Sequence, residues 1–206
     1  MLINGIITAA GLSSRMQAFK PLLKLKEKTM IEYSVDSLLN AGVSQVVVVL
    51  GYRAGEVEAL LHDRYDRSRV LCIHNPRYAE TDMLISVKIG IEALNPCDAF
   101  YLLPGDMPAI HPDTFAALKE AMCRTQAAVT FPTFDGHREH PPLISWSCRE
   151  MILEFDGEGG LREVWKQLED RTAEVPVKDI GCMMDADTKE DYDNLVSYMG
   201  GAIWKL

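Results

Sequence analysis

The sequence predicts an α/β protein built on a mostly parallel, twisted sheet with helices on both faces. Three observations carry that expectation. Short apolar runs rich in β-branched residues alternate with helix-period segments, the pattern of β–α–β crossover units. The runs are continuously apolar rather than alternating, with Val46-Val47-Val48-Val49-Leu50 the extreme case, as strands covered on both faces require. Finally, 206 residues with 48% apolar and 25% charged side chains can fill a full hydrophobic core, which excludes wholesale disorder.

Taken in order, strands are expected at Leu2–Thr8, Gln45–Leu50, Val70–His74, Ala99–Leu103 and Ala128–Phe131. Helices fall between them at 30–41, 54–63, 84–94 and 113–125. After Pro132 the rhythm changes: a short strand over Pro141–Trp146, helices at 148–155 and 160–169, then a strand near 173–177. The last helix opens at Thr188, which offers an N-cap hydroxyl, with Asp191 three residues on to suit the positive end of the helix dipole. No repeat, low-complexity stretch or linker interrupts the chain, so residues 1–206 read as one domain. Ile203 and Trp204 read as a last core contact.

Composition excludes several function classes. Twenty-one Lys and Arg against 30 Asp and Glu give a formal charge of −9, which argues against a general nucleic-acid surface. No apolar run approaches the roughly 18–20 residues of a membrane span. No basic leader precedes the first apolar stretch, so a cytoplasmic protein without a signal peptide is expected. The five cysteines form no C-x-x-C pair and read as reduced thiols, with Cys72 and Cys182 as small core side chains. Charge and size allow a monomer or a dimer equally.

The charge is uneven. Residues 1–30 carry Arg15, Lys20, Lys24, Lys26 and Lys28 against Glu27 alone, a basic island that would steer an anionic small ligand. Lys24, Lys26 and Lys28 read as a solvated turn. Arg15 and Lys20 follow a small-residue strand end, Thr8-Ala9-Ala10-Gly11-Leu12-Ser13-Ser14-Arg15. In open parallel sheets ligands bind beyond the carboxyl ends of the strands. Small residues there let backbone N–H groups approach a phosphate or a base edge, and the two cations can neutralise a polyphosphate. Neither a Gly-x-x-x-x-Gly-Lys phosphate loop nor a Gly-x-Gly-x-x-Gly dinucleotide fingerprint is present. At a second strand end, Pro104-Gly105-Asp106-Met107-Pro108 places one carboxylate where a hard cation could be held.

These residues also carry a resemblance. A-A-G-x-S-x-R-M followed by K-P-L-L resembles the signature of the MobA-like NTP transferase family, most similar to its molybdenum cofactor cytidylyltransferase branch. The resemblance implies a three-layer, Rossmann-like nucleotidyltransferase fold, with 1–131 as the nucleotide-binding half and 132–206 as the acceptor-binding elaboration. It further implies nucleotide contacts from Ala9, Ala10, Gly11, Ser13, Arg15, Lys20, Asn75, Ser86 and Gly105. Lys20, Arg15 and Asp106 would be catalytic, and Mg²⁺ would be held by Asp106, Asp185 and the weaker candidate Asp187. Arg138, His140, Gly160 and Arg162, in segments similar to the family's G-x-R-G-H-P and G-D-x-G-x-R, would bind an acceptor phosphate. His137 is left as a bystander.

Four positions depart from the family pattern: Gln17 and Glu139 replace glycines, Lys189 replaces a proline, and Asp82 stands where the cofactor enzymes often have glycine. Ser86 and Asp82 would also suffice simply to start a helix. The expected reaction joins an NMP from an NTP, with CTP favoured, to a phosphorylated small molecule and releases pyrophosphate. Molybdopterin leads as acceptor. A sugar phosphate or phosphorylated alcohol, a guanylyltransferase, and a non-catalytic nucleotide-binding regulatory module stand as alternatives.

Overall fold

A computed structural model describes residues 1–11, 16 and 18–201. Ser13, Arg15, Gln17, Ile203 and Trp204 lie outside the described residues. In chain order the elements begin with β1 (Ile3–Ala9), a 3₁₀ turn at Lys20–Leu22, a small hairpin of β2 (Lys24–Leu25) and β3 (Lys28–Thr29), and α1 (Met30–Asn40). There follow β4 (Val46–Leu50), α2 (Ala54–Arg64), β5 (Val70–His74), α3 (Met83–Ala93), β6 (Ala99–Pro104) and α4 (Pro112–Thr125). The remainder is β7 (Val129–Phe134), β8 (His137–Arg138), β9 (Leu143–Ser145), α5 (Arg149–Glu154), α6 (Gly160–Gln167), β10 (Thr172–Pro176) and α7 (Lys189–Gly201).

The main sheet has the order β10-β7-β9-β6-β1-β4-β5, with β8 hydrogen-bonded to β7. β1 pairs in parallel with both β4 and β6, and β4 pairs in parallel with β5. β9 runs antiparallel to both β6 and β7, so β7 and its parallel neighbour β10 point the same way as the rest. The mostly parallel sheet expected from the sequence is therefore present. Its continuous apolar runs follow from burial: Val46–Leu50 is inaccessible along its whole length. Ile7, Val48 and Leu103 pack with α1, α2 and α4 on one face. On the other face, Ile6, Val47 and Leu102 pack with α3, α5 and α6. A third, smaller cluster joins Leu25 and Met30 to Leu195 and Met199 of α7, which draws the C-terminal helix to the β2–β3 hairpin.

Local chemistry sets the helix starts. Thr29 and Glu32 form a reciprocal capping box on α1. Asp82 Oδ1 accepts the Ile85 N–H and caps α3. Thr188 and Asp191 cap each other's backbone ahead of α7, as their spacing predicts. β7 runs three residues past its expected end, through Pro132, whose carbonyl accepts the Glu139 N–H. Among the described residues no helix is long and apolar enough to cross a membrane. All five cysteines are free; Cys72 and Cys182 are buried as expected, whereas Cys123 is exposed.

The topology fixes where a ligand can sit. From β1 the chain moves outward one way through β4 and β5, then returns across β1 to β6 on the other side. The carboxyl ends of β1 and β6 thus flank the point where strand order reverses, and crevices in open α/β sheets form there.

Candidate active site

At that point lies a cavity of about 250 Å³, walled by Thr8, Ala9, Ala10 and Gly11 from the end of β1 and by Pro104, Gly105 and Asp106 from the end of β6. The two strand ends are tightly locked. Gly105 N–H donates to the Thr8 carbonyl at 3.0 Å, and Ser34 Oγ donates to the Gly105 carbonyl at 3.2 Å. A side-chain carbon on Gly105 would stand 3.0 Å from Ala9 Cβ, so glycine eases this close approach. The Met107 N–H closes a turn onto the Pro104 carbonyl and turns Asp106 into the mouth.

Lys20 enters from the 3₁₀ turn and lies between two carboxylates. Its Nζ is 3.0 Å from Asp106 Oδ2 and 2.7 Å from Asp187 Oδ1. Burial alone would lower the pKa of this ammonium, but the Asp187 hydrogen bond and the Asp106 charge outweigh it and raise the pKa above the ordinary lysine value. Asp185 sits beside them, with its Oδ1 accepting the Asp187 N–H at 3.3 Å. Burial, followed by the like charges of Asp106 and Asp187, pushes the Asp185 carboxyl up. The site therefore gathers three carboxylates around one ammonium.

This donor set suits a hard divalent cation. All its ligands are carboxylate oxygens, and their mutual repulsion, registered in Asp185, would be relieved by added positive charge. Among the described residues no three His, Cys, Asp or Glu side chains converge into a ready-made metal centre. A hard cation held here would take one or two of these carboxylates, with phosphate and water completing its shell.

The other end of the cavity is formed by Tyr78, Thr81, Asp82, Met83 and Ser86. Ser86 is where the sequence reading expected it. Asn75 is not on the wall. Its side chain is buried, its Nδ2 donates to Thr81 Oγ1 and Ser86 Oγ, and its Oδ1 accepts the Arg77 N–H, so it braces the wall from behind. The sequence reading has Asn75 as a direct nucleotide contact; the structure places it behind the wall. Tyr78 and Thr81 were missed by sequence reasoning. The one available signal is Gly51, where any side chain would strike the Ala10 carbonyl and Tyr78 Cβ.

The acceptor set expected from the sequence does not assemble. Arg138 donates through both terminal nitrogens to Glu169 and through Nε to Glu174, at 2.6–2.8 Å. Its guanidinium also lies over the Phe131 ring. It is a structural fork, spent on carboxylates. His140 precedes a cis proline, and its Nδ1 is buried without a partner. Burial lowers its pKa, while a backbone hydrogen bond at Leu102 and the Asp106 charge pull the other way. A side-chain carbon on Gly160 would lie 2.8 Å from Asp82 Oδ2, so a carboxylate already occupies the space at the start of α6 where an acceptor phosphate was expected. Arg162 is exposed on the first turn of α6. His137 is exposed, and Lys24, Lys26 and Lys28 form a solvated turn, as expected.

Comparison with known proteins places this geometry in a family. The molybdenum cofactor cytidylyltransferase of Escherichia coli K12 is 33% identical over 191 residues, covering 92% of this chain and 93% of that protein. A solved nucleotidyl transferase from Methanothermobacter superposes with a TM-score of 0.80 at 25% identity, covering 96% of this chain and 97% of that one. A Mycobacterium tuberculosis H37Rv protein solved in complex with manganese shares the fold, with a TM-score of 0.73 at 22% identity over 96% of this chain and 98% of its own. The model of the MobA-like NTP transferase domain matches residues 5–172, which include the loop after β1, Lys20 and Asp106. The cavity at the sheet's switch point, with Lys20 and Asp106 on its wall, lies within the matched residues, and the chain belongs to the MobA-like NTP transferase family.

Proposed function

We propose that the chain transfers the CMP moiety of CTP to a phosphorylated small molecule, with Mg²⁺ and with release of pyrophosphate, and that molybdopterin is the leading acceptor. The observation that carries this reading is Lys20 held between Asp106 and Asp187 at the end of β1. With a divalent cation on its carboxylates, the Lys20 end of the cavity would suit the triphosphate, and the Tyr78–Ser86 end would then receive the nucleoside. CTP is favoured by Ala9-Ala10-Gly11, where guanine-specific relatives usually have Ala-Gly-Gly, and by the similarity to a cytidylyltransferase.

In the reaction an acceptor phosphate oxygen attacks the α-phosphorus in line, the bond to the bridging oxygen breaks, and the electron pair leaves with pyrophosphate. No protein nucleophile is needed; positioning and charge neutralisation supply the rate. Lys20 binds the triphosphate and stabilises charge on the departing oxygens. The backbone from Ala9 to Gly11 approaches the nucleotide closely, and Gly105 keeps the two strand ends close enough for Asp106 to face Lys20. Asp106 and the aspartates at 185 and 187 would hold the metal, which supplies Lewis-acid charge at the α-phosphate.

A second acceptor class is favoured by particular observations. Arg138 is spent on Glu169 and Glu174, Asp82 fills the start of α6, and Glu139 adds an acid nearby. A bulky pterin would have to pass these side chains, whereas a smaller acceptor such as a sugar phosphate or phosphorylated alcohol could place its phosphate away from them.

The test is pyrophosphate release with CTP, GTP, UTP and ATP in the presence of Mg²⁺, with and without molybdopterin. Release with CTP and molybdopterin together is the expected result. Magnesium-dependent CTP binding without release would move the search to the second acceptor class. Asp106→Ala should abolish release while leaving the melting temperature and circular dichroism unchanged; retained turnover would remove Asp106 from the mechanism.

A further inference from the structure

The Lys20 ammonium occupies the position where charge complementarity would place a divalent cation. It touches Asp106 Oδ2 at 3.0 Å and Asp187 Oδ1 at 2.7 Å, with Asp185 adjoining through the Asp187 N–H. Its side chain is only 11% exposed, so this pair is poorly screened by solvent. A doubly charged cation and an ammonium cannot share those oxygens without strong repulsion at contact distance. One lysine also cannot neutralise the two aspartates and cover a triphosphate at the same time.

We infer that Lys20 is a placeholder for the metal. In the ligand-free protein it holds the cation position between Asp106 and Asp187. The incoming triphosphate draws it away, and that movement frees the carboxylates, so metal entry is coupled to nucleotide entry. The inference rests on the reading of Asp106 and the aspartates before α7 as the metal end of the site. Its consequence is an order of assembly: the protein alone takes up divalent cation poorly, and the nucleotide and its metal arrive together. The lysine's two partners are then successive, carboxylates first and phosphates second.

The experiment measures Mn²⁺ binding to the ligand-free protein, by electron paramagnetic resonance of free Mn²⁺ and by calorimetry. Lys20→Met and Lys20→Gln should each bind Mn²⁺ about tenfold or more tightly than the wild type, because a competing charge has been removed at contact distance. The same variants should bind CTP more weakly, so the two affinities move in opposite directions. Lys28→Met removes one unit charge from the separate Lys28–Asp36 pair and should leave Mn²⁺ affinity unchanged. Equal tightening in that variant would reduce the effect to net charge and overturn the inference, as would unchanged or weaker Mn²⁺ binding in the Lys20 variants.

A second measurement is made on the wild type. Because Lys20 competes with the metal, labelling of Lys20 by an amine-reactive reagent, mapped by peptide mass spectrometry, should rise only at Mn²⁺ concentrations well above those that fill the site in Lys20→Met; no increase at saturating Mn²⁺ overturns the exchange. Pyrophosphate release is scored separately. Variants that gain Mn²⁺ affinity in a protein that never releases pyrophosphate would leave the exchange standing and remove the transfer reaction. Release with CTP but no gain in Mn²⁺ affinity would remove the exchange alone.

Discussion

Lys20 and Arg138 are the same device in two places. Each is one cation held between two carboxylates, Asp106 and Asp187 in one case and Glu169 and Glu174 in the other. Lys20 stands where the ends of β1 and β6 meet, with its side chain 11% exposed, on the wall of the cavity. Arg138 stands on β8 at the side of the sheet, 29% exposed, bridging β8 to β10 and the turn before it. The lysine is a flexible point charge that can change partners. The arginine is a planar fork whose donors are already matched to a carboxylate's two oxygens. An identical charge arrangement therefore serves exchange in one place and stapling in the other, and what separates the two is location in the topology and the geometry of the cation.

The largest effect that would break this comparison is on turnover. Lys20→Ala should lower nucleotidyl transfer by about 10²–10³-fold, the usual cost of removing one group that stabilises transition-state charge. Its melting temperature should change little. Steady-state pyrophosphate release and thermal melts of the same preparation check both halves, and near-normal turnover would make the first loop purely structural. Arg138→Ala should do the reverse: a melting temperature lowered by about 2–4 °C, with kcat and KM for CTP unchanged. A raised KM for the acceptor in that variant would restore Arg138 to the substrate site and sink the assignment as a staple.

The readings that succeeded and those that failed differ in how far apart in the chain the deciding contacts lie. Lys20 and Asp106 were legible because a rule about strand ends places both at the mouth before any contact is known. Asp187 was ranked below Asp185 because nothing in the local sequence says which carboxylate meets the lysine; the contact to Lys20 spans 167 positions. The partners of Arg138 were not legible for the same reason: its carboxylates lie 31 and 36 residues further on, and only the fold returns them. The place of Asn75 behind the wall was not legible because a buried amide bracing Thr81 and Ser86 has the same residue type as one facing a ligand. The central strands of the sheet were legible to within about three residues, since double burial forces an apolar run, whereas the two-residue strand β8 was not foreseen. The acceptor side was not, because Asp82 and Gly160 meet across 78 positions with no motif linking them.

The smallest predicted effect sharpens the comparison from the staple side. Arg138 holds the Glu169 carboxyl below its ordinary value of 4.5, chiefly through their hydrogen bonds. A carboxyl whose folded pKa is depressed binds fewer protons folded than unfolded between the two values. The stability it contributes is therefore fully present above the unfolded value and is lost as pH falls through the folded one. The melting-temperature gap between wild type and Arg138→Ala should accordingly be constant from neutral pH down to about 5, then narrow below 4.5 as Glu169 takes up its proton. Thermal melts at half-unit steps from pH 7 to pH 3 would follow it. A gap that stays constant to pH 3 would mean that the guanidinium stabilises the fold by lying over Phe131 rather than by charge, and the likeness between the two cation sites would then hold only for Lys20.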